Sequence, residues 1–213
     1  MARAAPARPP EHADLDKLRR AARACTACDL AGPATQTVFG AGAEDARAVL
    51  VGEQPGDQED RQGAPFVGPA GRLLDRALVE AGIERDTVYV TNAVKHFRFQ
   101  YAQRGKRRLH KAPTTTQVRI CYPWLAAEVD EVDPELVVAL GATAAKALRG
   151  ADFRITDARG QLLDHDGRKF LATTHPSAVL RATDRDAAFA ELVQDLKAGA
   201  ALLGGGSLKR GRR

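Results

Sequence analysis

The hydrophobic pattern of the chain alternates between two kinds of segment. Short runs rich in valine and leucine predict buried strands of the parallel type, and longer segments with apolar residues every three or four positions predict helices. The predicted strands cover 46–52, 87–91 and 135–140. The predicted helices cover 14–24, 71–81, 114–130, 141–148 and 184–203. This alternation indicates a mainly parallel sheet with helices on both faces.

Polar residues at the ends of these segments predict where several helices begin or end. Asp14 is a candidate N-cap for the first helix, in which Leu15 and Leu18 share one face. The sequence Thr114-Thr-Thr-Gln117 has the form of a capping box, and Asp133-Pro134 is expected to end the helix that follows. In the helix over 71–81, four apolar side chains are expected to face inward: Leu73, Leu74, Leu78 and Val79.

The last third of the chain leaves two arrangements open. Residues 161–163 and 169–173 form a hairpin through the turn HDGR, or the second segment supplies the fourth central strand. In either case we predict an α/β fold, a single-domain α/β/α sandwich around a central, mainly parallel four-stranded sheet. The domain is expected to span 14–203, between a disordered leader at 1–13 and a flexible basic tail at 204–213.

Composition narrows the class of protein. The 213 residues are enough for one α/β domain, and no apolar run approaches the roughly 20 residues of a membrane helix. The first residues lack the apolar core of a signal peptide, and the three cysteines argue against a disulfide framework. We therefore expect a cytoplasmic monomer that does not contact a membrane.

Positive charge is concentrated in one part of the chain. The formal net charge is +5 and the isoelectric point is about 9.3. No acidic residue interrupts the stretch from Lys95 to Lys111, which contains RGKRRLH at 104–110. A basic host proteome is one explanation, but a local cluster favours a polyanionic partner such as nucleic acid. His110 at the end of this run is either one more surface residue or a functional residue that the basic loop positions.

A pair of cysteines suggests a metal site. Cys25 and Cys28 form a CxxC unit with the spacing of zinc and iron–sulfur ligands. Thioredoxin-like chemistry is disfavoured because this unit precedes the first strand rather than following one. Cys121 is either a third ligand or a small buried hydrophobe, and His96 and His110 are candidates for a fourth ligand. The pattern does not separate zinc from an iron–sulfur cluster.

The loop after the first predicted strand carries acidic residues and glycines, GEQPGDQED at 52–60. Glu53 follows the strand directly, so it is a candidate general base or a group that stabilises a developing cation. The alternative is a solvated acidic loop, which accounts for Glu59 and Asp60 more readily than for Glu53. The loop is too acidic for a nucleotide-phosphate site, and the chain contains neither GxGxxG nor GxxxxGK[ST].

Three further candidate residues lie at the end of a predicted strand or in the loop that follows one. Phe66 is either a core residue or a ring that stacks on a flat heterocycle, and the Asn92 amide could read the edge of uracil or adenine. His175 is either a donor to a leaving-group oxygen or a histidine that caps a turn. Because the carboxyl ends of parallel strands meet at one edge of a sheet, these residues, Glu53 and the basic run are expected to converge.

Four stretches, in this order along the chain, resemble motifs of the uracil-DNA glycosylase superfamily. They are GEQPGDQED at 52–60, GAPFVGPAG at 63–71, TNAVKH at 91–96 and HPSAVLR at 175–181. The resemblance covers about residues 15–200 and implies the superfamily's α/β fold. Within the superfamily the chain is similar to the iron–sulfur branch, family four, whose four-cysteine [4Fe–4S] site is matched here at Cys25, Cys28 and Cys121.

Two departures from family four resemble a small sister branch, the X family. His96 stands where family four has a cysteine after TNxVK, and RGKRRLH is an additional loop. Members of the X family become covalently joined to uracil-containing DNA, which implies that His110, the histidine ending KRR-[IL]-H, is the joining residue. The resemblance also implies that the cluster ligands are Cys25, Cys28, His96 and Cys121.

The resemblance assigns roles to the candidate residues. His110 would attack C1′ of the sugar, Glu53 would stabilise the sugar cation or take a proton, and His175 would stabilise the uracil anion at O2. The uracil-binding residues would be Gln54, Gly56, Asp57, Phe66 and Asn92. The DNA-binding residues would be Lys106, Arg107, Arg108, Ser177 and Arg181.

The implied function is that of a DNA-repair glycosylase which acts once. It would excise uracil from DNA, preferably single-stranded, release free uracil and stay linked through His110 to the abasic site, in a bacterial cytoplasm near the nucleoid. One alternative is a turning-over family-four glycosylase that uses water. Another is a non-catalytic, zinc-stabilised nucleic-acid-binding protein, which would leave Glu53, Asn92 and His175 without a role.

Overall fold

The computed structural model describes residues 5–103 and 105–204, and within them a mixed sheet forms the centre of the fold. Its strands and those of a separate hairpin are β1 (Ala41–Gly42), β2 (Ala48–Gly52), β3 (Val88–Asn92), β4 (Phe99–Tyr101), β5 (Arg108–His110), β6 (Leu136–Leu140), β7 (Leu162–His165) and β8 (Arg168–Thr173). The sheet order is β1-β3-β2-β6-β8-β7. Strands β3, β2, β6 and β8 are parallel, and β1 and β7 are antiparallel edge strands.

Helices cover both faces of this sheet. They are α1 (Leu15–Ala22), α2 (Asp57–Gln62), α3 (Pro69–Ala81), α4 (Thr115–Val132), α5 (Ala142–Arg149), α6 (Ile155–Ala158), α7 (Pro176–Val179) and α8 (Arg185–Gly204). Helices α1, α4 and α5 pack on one face, and α3, α7 and α8 pack on the other. Strand residues alternate between the two cores, since Val49 and Val51 face the first and Leu50 faces the second. The predicted α/β/α sandwich is confirmed.

The two arrangements left open for the end of the chain are both present. β7 and β8 form an antiparallel hairpin, and β8 is also the fourth parallel strand beside β6. The four predicted central strands are therefore correct, while the edge strands β1 and β7 extend the sheet to six. The β4–β5 hairpin lies outside this sheet, in a segment that sequence reasoning treated as a basic loop.

The predicted helix caps are confirmed. The Asp14 carboxylate accepts from the Lys17 amide at 2.7 Å. In the capping box, Thr114 Oγ1 accepts from the Gln117 amide at 3.2 Å, and Gln117 Oε1 accepts from the Thr114 amide at 2.9 Å. Asp133 ends α4 in a left-handed conformation, φ 46°.

The prediction that Val79 of α3 faces inward is wrong. Leu74 and Leu78 are fully buried, but Val79 is 71% exposed. The buried stripe runs through Leu74, Ala77, Leu78 and Ala81, at the three- and four-residue steps of a helix. Val79 lies beyond the edge of this stripe, because the small alanines rather than the larger valine occupy the contact with the sheet.

Part of the predicted leader packs on the domain. Ala7 is buried, and its N–H donates to the carbonyl of Ile120 in α4 at 2.9 Å. Ala13 is also buried, so the expectation of disorder is wrong for this portion of the leader. Residues 1–4 and most of the predicted tail, 205–213, lie outside the described residues. Within the described part of the chain, no helix combines the length and apolar character needed to cross a membrane.

Candidate active site

A cavity of about 920 Å³ opens at the carboxyl ends of the parallel strands. It brings together the three predicted catalytic residues, the five predicted uracil-binding residues and two predicted DNA-binding residues: Glu53, His110, His175, Gln54, Gly56, Asp57, Phe66, Asn92, Ser177 and Arg181. The β2, β3 and β8 loops meet here because their strands are parallel and end at the same edge of the sheet. The predicted convergence of these residues at one edge of the sheet is therefore present, and their chemical roles stay predictions.

A carboxylate and an imidazole face each other in this cavity. Glu53 follows β2, and its Oε1 lies 3.4 Å from Nε2 of His110 at the end of β5. The hydroxyl of Thr143 donates to the other carboxylate oxygen, Oε2. Thr143 lies just after β6, and its strand-end position is the signal that sequence reasoning overlooked. This hydrogen bond orients Glu53 so that its first oxygen points toward His110.

The environment of His110 favours its neutral form. Burial lowers the pKa of His110 below its usual value; Glu53 opposes this shift and the Arg181 guanidinium adds to it. A neutral imidazole has one ring nitrogen with a free electron pair, so it is able to act as a nucleophile. The side chain is 49% exposed, which leaves the ring accessible from the cavity.

His175 caps α7 and also lines the cavity. Its Nδ1 accepts from the Ser177 amide at 3.0 Å and lies 2.8 Å from the Ser177 hydroxyl. Burial, with smaller contributions from His110 and Arg181, lowers the pKa of His175 to about 4. The ring is therefore neutral near pH 7, and because Nδ1 accepts the amide hydrogen, the proton is on Nε2. The reading of His175 as a capping residue is confirmed. Donation to a leaving-group oxygen stays a prediction, and the cap leaves Nε2 as the ring nitrogen that can donate.

Two glycines allow an aromatic ring and an amide to approach each other in the cavity wall. A Cβ on Gly52 would lie 2.4 Å from Asn92 Oδ1 and 2.7 Å from Phe66 Cζ. A Cβ on Gly71 would lie 1.7 Å from the Phe66 carbonyl oxygen. Phe66 itself has φ 57°, a region that few residues with a side chain adopt, and its ring lies 6.3 Å from that of His175 at an interplanar angle of 28°. Phe66 is thus both a core residue and a wall of the cavity.

Asn92 presents an unused amide to the cavity. It ends β3 directly opposite Gly52 and is 3% exposed. Its backbone carbonyl accepts from Lys95 Nζ at 2.8 Å, whereas its side-chain amide has no hydrogen-bond partner within 5–103 and 105–204. A buried amide with both a free donor and a free acceptor is suited to reading the edge of a heterocyclic base.

Gln54 uses its side chain to hold the base of the β4–β5 hairpin. Its Nε2 donates to the carbonyls of Arg98 at 3.1 Å and Lys111 at 3.2 Å, and its Oε1 accepts from the Arg98 amide at 3.2 Å. Within the hairpin, Phe99 pairs with His110. Gln54 thereby fixes the position of the strand that carries His110, and both donors of its side-chain amide are used in doing so.

The contacts of Arg108 contradict the prediction that it binds DNA phosphates. Its guanidinium lies 2.5 Å from Asp57 Oδ1 and 2.6 Å from Asp60 Oδ2, and its side chain is 9% exposed. It also stacks over the rings of Phe97 and Phe99 at 5.4 and 4.9 Å. A guanidinium that is paired and covered in this way anchors the hairpin to α2 and is not free to bind a phosphate.

The acidic loop at 52–60 is not the solvated loop that was one alternative for Glu59 and Asp60. Asp60 is fully buried and Glu59 is 7% exposed. Besides Arg108, Asp60 accepts from the Thr35 amide at 3.0 Å. The two oxygens of Glu59 accept from the amides of Gly56 at 3.1 Å and Gly68 at 2.7 Å. These carboxylates therefore shape the loop around the cavity.

The remaining predicted DNA-binding residues of the basic run lie on the surface. Lys106 and Arg107 are exposed, and Lys106 borders a second, shallower cavity beside the hairpin. Arg104 lies outside the described residues. DNA contact by Lys106 and Arg107 stays a prediction.

Three of the predicted metal ligands, Cys25, Cys28 and Cys121, lie in the core beneath α1 and α4. Cys25 Sγ accepts from Trp124 Nε1 at 3.2 Å, and Cys121 Sγ accepts from the Lys95 amide at 3.2 Å. Burial raises the pKa of Cys28 and raises that of Cys121 to about 12. Without a bound cation the thiols of Cys28 and Cys121 would be neutral, and a cation would be needed to stabilise their thiolates.

His96 has the feature expected of a ligand. Its Nε2 lies 2.9 Å from Thr37 Oγ1, while its Nδ1 is buried and has no hydrogen-bond partner among the residues that the structure describes. No group of three or more His, Cys, Asp or Glu side chains in the described ranges is placed to hold one metal ion. A single zinc ion requires its ligands about 2.3 Å from one point, whereas each ligand of a four-iron cluster binds a different iron. Three thiols and one imidazole nitrogen are a donor set that either group accepts, so the choice of a cluster over zinc stays a prediction. His110 faces Glu53 rather than the thiols.

A buried ion pair links α4 to the segment that follows β3. Lys95 Nζ donates to Glu128, and both side chains are almost fully buried, at 1% and 0% exposure. Glu128 also accepts hydrogen bonds from the amide of Gly40 and the hydroxyls of Tyr89 and Thr91, at 2.8, 3.1 and 2.9 Å. Through its bond to the Asn92 carbonyl, Lys95 supports the residue that presents an amide to the cavity.

Comparison with known proteins identifies the family to which these features belong. Residues 39–197 match the family model of the uracil DNA glycosylase superfamily. The chain belongs to this superfamily. The matched span includes every strand of the sheet and the whole lining of the large cavity. The superfamily assignment made from the four motifs is thereby confirmed.

Relatives in this superfamily support the family-four branch. A type-4 uracil-DNA glycosylase of Thermotoga maritima is 41% identical over 159 residues, which cover 74% of this chain and 78% of the relative. Type-4 enzymes of Pyrobaculum aerophilum and Archaeoglobus fulgidus are 34% and 35% identical, over 92% and 78% of this chain and 96% and 83% of the relatives. Assignment to the X family stays a prediction.

Proposed function

We propose that this protein excises uracil from DNA and then retains the DNA through a bond between His110 and C1′ of the abasic sugar. Excision is supported by membership of the superfamily and by relatives named as uracil-DNA glycosylases. Covalent retention is supported chiefly by one observation. The imidazole of His110 lies 3.4 Å from Glu53 in the cavity that also contains Phe66, Asn92 and His175.

The base enters this cavity as a flipped nucleotide or from single-stranded DNA, since the N-glycosidic bond is not accessible within a duplex. The Phe66 ring stacks on the base, the Asn92 amide pairs with its O4 and N3 edge, and backbone groups near Gly56 complete the wall. Lys106, Arg107, Ser177 and Arg181 contact phosphates, which hold the strand without reading its sequence. Arg108 no longer belongs to this group, because its guanidinium is paired with Asp57 and Asp60.

The chemical step breaks the bond between C1′ and N1 of uracil. The electron pair of this bond leaves with uracil, and the Nε2–H of His175 donates to the developing anion at O2. Glu53 stabilises the positive charge on the sugar. A ring nitrogen of His110 then bonds to C1′, and the proton that the ring sheds passes to Glu53. Since His110 is held in place, it competes with water through its high effective concentration. The products are free uracil and a protein–DNA adduct.

A [4Fe–4S] cluster held by Cys25, Cys28, His96 and Cys121 completes the proposal. When bound, the cluster would supply cross-links between separate segments of the chain and no redox step. Trp124 and the Lys95 amide would donate to the cysteine sulfurs, as they do to the thiols. The ligand segments would thereby be fixed close to Asn92, which is four residues from His96.

Purified protein is expected to be brown, with about four irons and four sulfides per chain. His96→Ala should lower the iron content and bleach the visible absorption, because a buried ligand nitrogen is lost. His12→Ala is the matched control, since His12 is an exposed histidine in the N-terminal segment. Metal analysis and visible spectroscopy test both variants. A colourless protein with one bound zinc would contradict the cluster and favour a zinc-stabilised nucleic-acid-binding protein.

A second candidate function is a conventional type-4 uracil-DNA glycosylase in which water attacks C1′. The names of the relatives favour it, because they are type-4 enzymes with up to 41% identity to this chain. This candidate uses the same cavity, with Glu53 orienting a water molecule. It gives no role to His110.

Denaturing gel electrophoresis separates the two candidates. Wild-type protein mixed with single-stranded DNA containing one uracil is expected to give a slower band that survives heat and SDS. The amount of reacted DNA should not exceed the amount of protein, because each molecule reacts once. DNA of the same sequence with thymine in place of uracil is the control. Abasic product in molar excess over protein, without a slower band, would establish the water-using enzyme instead.

A further inference from the structure

The β4–β5 hairpin carries a row of aromatic rings that begins beside His110 and ends at the surface. Phe97 lies 6.1 Å from the His110 ring, Phe99 lies 5.2 Å from Phe97, and Tyr101 lies 5.4 Å from Phe99, measured between ring centroids. Alternate residues of a strand face the same side, so the three rings form one row. Phe97 is buried and Phe99 is half-buried, whereas Tyr101 is 63% exposed.

The outer end of this row borders a second cavity of about 670 Å³, lined by Thr35, Arg61, Tyr101, Gly105, Lys106 and Arg108. Arg108 is covered and paired with two carboxylates, so it forms the floor of this cavity. Lys106 is exposed, and Arg61 keeps its side chain 63% exposed although it pairs with Asp57. An exposed ring and two accessible cations in one cavity have the composition of a site for one nucleotide of a single strand.

The register of the hairpin relates this cavity to the large one. Phe99 pairs with His110 and Tyr101 pairs with Arg108. Tyr101 is therefore two residues farther along the hairpin than the pair that contains the proposed nucleophile, a distance of about 7 Å. A DNA strand whose uracil occupies the large cavity can thus place a neighbouring nucleotide beside Tyr101 without a change in the protein backbone.

We propose that Tyr101 is a stacking platform for a base that flanks the excised uracil on the same DNA strand, with Lys106 and Arg61 contacting its phosphates. This inference rests on the proposed function, since it takes the large cavity as the uracil site. Stacking on a tyrosine does not depend on base identity, so the site accepts any flanking base. A base in a duplex is already stacked and paired, which makes the site selective for single-stranded DNA.

The test compares the binding of uracil-free single-stranded DNA by wild-type protein and by Tyr101→Ala, measured by fluorescence anisotropy at fixed salt concentration. Loss of one stacked base should weaken binding about 5- to 150-fold, and Tyr101→Phe should retain most of the affinity. Tyr122→Ala is the matched control, because Tyr122 is an exposed tyrosine on α4. DNA with a base-free spacer at successive positions should weaken wild-type binding at one position and leave Tyr101→Ala unaffected there.

Uracil-containing DNA distinguishes a failure of this subsite from a failure of the proposed function. In Tyr101→Ala, the DNA concentration that gives half the maximal rate of uracil release should rise. If wild-type protein releases uracil but Tyr101→Ala binds and reacts like wild type, the stacking platform is wrong and the uracil site stands. If wild-type protein releases no uracil, the proposed function is wrong, and the anisotropy result alone decides whether Tyr101 binds DNA.

Discussion

His110→Ser is expected to abolish the heat-stable protein–DNA band while uracil release continues. The serine hydroxyl is too short to span the space that the imidazole occupies, so it would not reach C1′. Covalent capture should therefore fall at least about 1,000-fold. The space left beside Glu53 admits water, so abasic DNA and free uracil should form in excess of the protein. Denaturing gels and quantification of released uracil measure the two outcomes separately.

The control for this substitution is His12→Ser, which replaces an exposed histidine in the N-terminal segment and should couple like wild type. Thermal unfolding of both variants shows whether the fold is intact; the exposed position of His110 predicts little change in stability. A band that persists in His110→Ser would mean that another residue forms the bond. Loss of both the band and uracil release, in a folded variant, would mean that His110 takes part in excision itself.

Glu128→Gln is expected to destabilise the protein by about 3–5 kcal/mol, because it leaves the Lys95 ammonium buried without its counter-ion. For a protein of this size, such a loss lowers the unfolding temperature by about 6–20 °C. The glutamine side chain keeps the shape of glutamate, but it is neutral and replaces one acceptor oxygen by an NH₂ donor. That donor would face the Lys95 ammonium or one of the other donors around it. The unfolding temperature of both proteins, measured at the same scan rate and the same metal content, tests this prediction.

The matched control is Glu131→Gln, one turn later on α4, where the side chain is exposed. It should change stability by less than about 0.5 kcal/mol. Equal effects of the two substitutions would show that the buried pair contributes no more than a surface charge. The double variant Lys95→Met with Glu128→Leu removes both charges, and it should recover part of the stability that the single substitution loses.

Local signals in the sequence were sufficient for most of the fold. The central strands are apolar runs that are buried on both faces, so their composition alone identifies them. The caps at Asp14 and Thr114 involve residues three positions apart, and such contacts leave a local pattern. The β4–β5 hairpin was missed because its basic turn suggested a loop. The alternation of Phe97, Phe99 and Tyr101 with polar residues is the signal that could have revealed its first strand.

The site was predicted in outline but not in its supporting contacts. Glu53, Asn92 and His175 were found because each lies at or just after the end of a parallel strand. The pairing of Arg108 with Asp60 joins residues 48 positions apart, and nothing near Arg108 in the sequence indicates that its charge is neutralised. The same holds for Lys95 and Glu128, 33 positions apart. Ion pairs of this kind depend on tertiary packing, which periodicity and composition do not describe.

The segment from Asn92 to His96 has a fixed length as well as a fixed sequence. At one end, pairing of β3 with β2 sets the position of Asn92. At the other end, the Lys95 amide donates to Cys121 Sγ and the Lys95 carbonyl accepts from the Val38 amide at 2.8 Å. An inserted or deleted residue here would shift either the base-reading amide or the cysteine contact out of register. A substitution in this segment can leave both contacts in place, whereas a change in its length displaces at least one of them.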